Sequence, residues 1–163
     1  MRRLVIAVAW FELWGGVWGI TASGLVVYRR ANELSASFLS GIAVALLFFG
    51  TTAVAGYTLA RDRPLGWRLS VPVLAFQVLQ FTALGLSYAA YAGAQVTVGV
   101  SGWTLELAGD IGSMFRARPL DDASPFRVAV NLLALLALLG LVRAKALRTA
   151  ARHEAWVESW PKA

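Results

Sequence analysis

Four apolar runs, separated by charged or turn-forming residues, organise this chain. Leu4 to Tyr28 is broken only by Glu12. Phe38 to Ala60 and Leu69 to Gly93 carry no charge, and Val128 to Val142 carries none but is shorter. A helix needs about 20 apolar residues to cross the hydrocarbon core of a bilayer. The first three runs meet that length. The fourth meets it only over 126–147, with Arg143 and Lys145 reaching back to the head groups. The pattern predicts membrane spans at 4–28, 38–60, 69–93 and 126–147. Arg2 and Arg3 give the first run the look of a signal peptide, but its length, Glu12 and the lack of a small-residue cleavage site favour a true span.

The connections are unequal. Residues 29–37 make a short loop, and Arg61-Asp62-Arg63-Pro64-Leu65-Gly66 reads as a tight turn because Pro and Gly stop a helix there. The long loop, 94–125, has a pattern of its own. Val96, Val98 and Val100 alternate with Thr97 and Gly99, and Trp103, Leu105 and Leu107 alternate with Thr104 and Glu106. That is strand periodicity, with Ser101-Gly102 as the expected turn of a small β-hairpin. A short helix is expected at 110–118. Ser124 and Pro125 suit the start of the fourth helix. Residues 148–163 form a polar tail, helical at first, with Trp156 and Trp160 placed for an interface. The expected fold is an all-α integral membrane protein: a four-transmembrane-helix antiparallel bundle with a small β-hairpin in the extracytoplasmic loop between helices 3 and 4.

Composition supports a lipid environment. The 163 residues are 58% hydrophobic and 15% charged, where soluble domains carry about 25% charge; mean hydropathy is +0.63. The net charge of +6 does not argue for nucleic acid, because the basic residues sit at the ends of apolar runs and set orientation. With the N-terminus inside, Arg2, Arg3, Arg61, Arg63, Arg68, Arg143, Lys145, Arg148, Arg152 and Lys162 face the cytoplasm. Arg29, Arg30, Arg116, Arg118 and Arg127 face the other side. The bias predicts a plasma (inner) membrane protein with both termini cytoplasmic. The absence of cysteine removes thiolate chemistry, disulfides and cysteine metal sites, and His153 is the single histidine. No metal and no cofactor are expected.

Few residues carry candidate chemistry. Glu12 lies roughly 12 Å inside the first span at about 1.5 Å per residue, and an intramembrane carboxylate is a functional candidate by default. Counting from the same face, Gln77 matches its depth, Gln80 is one turn deeper, and Thr51 and Thr52 arrive from the second span. These five residues are expected to form one polar layer, either a ligand or proton site or interhelical hydrogen-bonding glue. Gly15, Gly19 and Ser23 form a small-residue stripe that permits close helix approach. Asn131 is read as a capping or packing residue.

No nucleophile–base pair, phosphate loop or dinucleotide fingerprint is present. The leading expectation is therefore a non-enzymatic accessory or scaffold component that docks a membrane-protein partner, or a second copy of itself, through Trp103, Leu105 and Leu107 of the outer loop. The alternative is a small transporter or a lipid or small-molecule binder built on the layer around Glu12.

Overall fold

The computed structural model describes residues 2–33, 35–83, 86–119 and 126–158. Two long helices come first: α1 (Arg2–Arg29) and, after a 3-10 turn at Ala31–Glu33, α2 (Ala36–Ala60). Ser35 caps α2 by accepting the Phe38 amide at 3.2 Å. The two pack closely because small residues line the contact: a Cβ on Gly16 would meet Phe49 and Ala53 backbone, and one on Gly56 would meet Ala9 and Leu13 backbone. After the Arg61–Arg63 turn comes α3 (Pro64–Val78), then β1 (Leu79–Ala83), β2 (Leu86–Ser101), β3 (Thr104–Pro119), β4 (Arg127–Asn131) and α4 (Leu132–Glu158).

This arrangement overturns the four-helix membrane bundle. The third apolar run, 69–93, is split between α3, β1 and β2, and the fourth, 126–147, begins as strand β4. Among the described residues, only α1 and α2 are long and apolar enough to cross a membrane. At about 1.5 Å per residue, α3 reaches only about 22 Å. An apolar run has no period of its own, so it does not distinguish helix from strand. Here pairing decides: Leu79–Thr82 lie against Arg127–Val130, which takes both runs out of helix at the same level.

The small loop hairpin is also corrected. β2 and β3 are 16-residue strands paired along their whole length, so the hairpin starts at Leu86, before the expected loop begins at 94. The closing pair is Ser101–Thr104, which places the turn at Gly102-Trp103, one residue beyond the expected position. The helix expected at 110–118 is strand β3. Ser124, Pro125 and Trp160 lie outside the described residues, as does the side chain of Trp156.

The four strands form an antiparallel sheet in the order β1-β4-β2-β3, with β1 also pairing to β2. β1 therefore joins both β4 and the Leu86–Tyr88 end of β2, while β4 joins the Thr97–Ser101 end. These pairings close a three-stranded ring, and β3 is left with β2 as its single neighbour.

The core has two parts. Val8, Ala9, Leu59, Trp67, Leu74, Leu141 and Ala144 bring all four helices together around the N-terminal part of α1. Farther along, Ala45, Phe49 and Ala92, joined by Phe48 and Phe115, pack α2 against the sheet. The stripe on α1 serves both parts: Gly15 lies against the Ala92–Gly93 backbone and Gly19 against the Phe49 ring.

Candidate functional site

The predicted polar layer is present as separate pairs. Glu12 is fully buried, and Ser70 of α3 donates to its Oε2 at 2.6 Å. The Gln77 carbonyl oxygen accepts the Ala92 amide of β2 at 2.9 Å. Gln80 lies in β1 and donates its amide to Gln95 Oε1 at 2.5 Å. Thr52 turns onto its own helix, donating to the Phe48 carbonyl at 2.8 Å. Thr51 is half-buried on α2, with no side-chain hydrogen bond among the described residues. Glu12 Oε1 and Gln77 Nε2 are buried with no hydrogen-bond partner among the described residues.

Ser70 is the partner that depth counting misses. Counting from Leu69 assumes that the apolar run marks the start of the helix. α3 starts instead at Pro64, where a Cβ on Gly66 would meet Leu59 backbone, and this tight turn fixes its register against the other helices.

The sheet has two unlike faces. On one, Gln80, Thr82, Ser87, Gln95, Thr97 and Arg127 line a cavity of about 90 Å³, with Ala108, Met114 and Arg116 of β3 also on its wall. The Gln80–Gln95 bond closes this interior, and Thr82 and Ser87 share a hydroxyl contact at 3.2 Å. Farther along, Tyr91 donates its hydroxyl to Asp110. Burial, and then the Asp110 carboxylate, push the Tyr91 hydroxyl up from its ordinary value and hold it as a neutral donor. Arg127 Nε lies 3.1 Å from Glu106 Oε2, an ion pair without hydrogen-bond alignment. The pair is half-exposed and contributes little to stability.

The other face is apolar, covered by α1 and α2 near Ala92 and Phe115 but uncovered towards the turn. The register places Val100 opposite Leu105 and Val98 opposite Leu107. Trp103 is fully exposed, Leu105 is 79% exposed, Leu107 75% and Ile111 89%. Alternation puts Leu105, Leu107 and Ile111 on one side of β3, with Trp103 at the turn. Ile111 escapes notice in the sequence because Ala108 and Gly109 interrupt the alternation.

The hairpin bends at a cross-strand glycine pair. Gly93 and Gly112 are register partners with φ of +94° and +148°, a backbone region that side chains other than glycine rarely adopt. Gly93 sits over the Phe11 ring and Gly112 near the Trp18 indole, so the bend is where the hairpin leaves α1.

Asn131 ends β4 and accepts the Leu133 and Ala134 amides at 3.2 and 3.4 Å, capping α4. Among the described residues, no three His, Asp or Glu side chains lie together as a metal site would require. The chain matches no protein-family model, no curated protein and no solved structure.

Proposed function

We propose that this chain is a non-enzymatic membrane component, an accessory or scaffold subunit that docks a partner protein through the β2–β3 hairpin. Membrane insertion is supported by how little α1 and α2 are covered. Only 33% and 22% of their most apolar stretches are buried within the chain, whereas a core helix of a soluble protein is buried all round. Trp10, Trp14 and Trp18 project from one side of α1 with at least half their surface free, as lipid-facing residues do. The basic bias favours a plasma membrane setting, with the N-terminus and the Arg61–Arg63 turn inside.

The observation that carries the docking reading is the state of β3. It is an edge strand, and its apolar side chains from Trp103 to Ile111 project free of the chain. An unpaired edge does not persist in hydrocarbon, where no water satisfies its N–H and C=O groups. In water, a long apolar edge pairs with other chains unless it is covered. Strand addition by an extended segment of a partner meets both demands: main-chain bonds supply affinity and the apolar row supplies specificity.

Photocrosslinking tests this. A photoreactive amino acid at Leu105 or Leu107 in the native host is expected to give a discrete protein adduct, lost when Ile111 is replaced by lysine. Labelling of lipid alone overturns the proposal, and an adduct of twice the chain mass makes the partner a second copy. The reading centred on Glu12 is favoured by the unpartnered Glu12 Oε1 and Gln77 Nε2. It predicts that Glu12→Gln abolishes function while the hairpin adduct remains.

A further inference from the structure

A cleft of about 750 Å³ opens between the C-terminal part of α1, the N-terminal part of α2 and the end of β3. Its breadth comes from small residues: Gly19 and Ala22 of α1 face Gly41 and Ala45 of α2 across it. Two hydroxyls on its walls are turned away into backbone. Ser23 donates to the Gly19 carbonyl at 2.8 Å and Ser113 to the Gly15 carbonyl at 2.7 Å, while Ser37 at the mouth contacts the Ser35 hydroxyl at 3.1 Å, so the stretch lined by Ile42, Ala45, Phe49 and Phe115 is apolar. Arg30 and Arg116 also line the cleft, and both are exposed. Among the described residues neither makes an ion pair, and no acidic side chain lines the cleft.

An apolar slot bearing two guanidiniums that make no ion pair among the described residues matches one chemistry, an acyl chain with an anionic head. Arg30 directly follows α1, which runs from Arg2 to Arg29, so it lies where a spanning α1 meets head groups. Guanidinium also matches phosphate by forked hydrogen bonding. We propose that the cleft holds an acyl chain of an anionic phospholipid, with Arg30 and Arg116 on its phosphate. The inference rests on the membrane reading of α1 and α2 and is independent of the hairpin.

The test is native mass spectrometry of the full chain in mild detergent, with phosphatidylglycerol or phosphatidylcholine of identical acyl chains. At about 1 kcal/mol per arginine, wild type should retain the anionic lipid roughly ten- to thirtyfold better. Arg30→Gln with Arg116→Gln should remove that preference, and both side chains are exposed, so the fold should tolerate the change. Gly41→Phe should reduce retention of both lipids, because a Cβ at Gly41 meets no atom within 4 Å and the ring has open space to enter. Equal retention of the two lipids by wild type overturns the proposal, as does a preference that survives the double variant. Displacement of phosphatidylglycerol by millimolar inorganic phosphate also overturns it, since a free anion would then be the ligand. Carbonate extraction separates the two levels: release of the chain from membranes sinks the membrane reading, while a retained chain without lipid preference sinks only the cleft.

Discussion

Ser70 donates its hydroxyl to the Glu12 carboxylate at 2.6 Å, joining α3 to α1 inside the four-helix part of the core. The bond is fully enclosed, yet hydrogen bonds between membrane helices are worth only about 0.6 kcal/mol on average and rarely beyond about 1.7. Ser70→Ala is therefore expected to cost within that range, and Glu12→Gln, which keeps an acceptor for Ser70, no more. Glu12→Lys puts a longer cation in a fully buried site, and about 3 kcal/mol or more should be lost. Thermal unfolding in mild detergent reads all three. Collapse of Glu12→Gln would show that the carboxylate itself holds the helices together.

The bend at Gly93 and Gly112 predicts a graded series. At Gly93 an added Cβ is strained by φ +94° and meets the Phe11 ring at 3.1 Å. At Gly102 the turn has φ +58° and open space around it. Gly102→Ala should cost about 1 kcal/mol for left-handed backbone alone. Gly93→Ala should cost about 2 kcal/mol or more, because strain and packing add. Unfolding midpoints of the two variants check the order, and equal losses would mean that Phe11 yields freely.

These residues also show why part of the fold was legible in the chain and part was not. The α1 and α2 helices follow from long apolar runs, and the tight Arg61–Arg63 turn from Pro64 and Gly66. Val96 to Leu107 alternate clearly enough to announce strands. The end of α3 at Val78 has no local signal, since neither Gly nor Pro marks it. It ends because Leu79 to Thr82 find Arg127 to Val130, partners some fifty residues away that a hydropathy window cannot join. The same pairing separates Gln80 from Glu12 and leaves Ser70 to make the bond. The outward row is readable at Trp103, Leu105 and Leu107, and is lost before Ile111 where Ala108 and Gly109 break the pattern.

α4 is tied to the α2–α3 turn by one residue. Arg148 pairs with Asp62 and lies 5.6 Å from the Trp67 ring centroid, while Trp67 donates its indole N–H to the same Asp62 at 3.2 Å. The ion pair is partly exposed and worth about 0–1 kcal/mol by itself, with a cation–π contact adding about 0.5–1. Arg148→Ala should therefore cost about 1–2 kcal/mol, while Arg148→Lys retains the charge but loses the planar fork. Amide exchange should rise locally over residues 144–150 in the alanine variant. An unchanged exchange pattern would mean that α4 is held by Leu141 and Ala144 packing alone.

The exposed row on β3 separates binding from folding more cleanly than any buried residue does. Leu105 and Leu107 touch little of their own chain, so Leu105→Lys with Leu107→Lys should shift stability by no more than about 0.5 kcal/mol per site. Lysines on an edge oppose strand addition, so the same pair should abolish the partner adduct. A matching pair at buried positions, Ala90→Lys with Ala92→Lys, should instead unfold the sheet, since both alanines are fully enclosed. Paired measurement of unfolding and adduct yield distinguishes the outcomes. If the surface lysines lower the unfolding midpoint as much as the buried ones, the row is packed within the chain's own assembly and is not a docking edge.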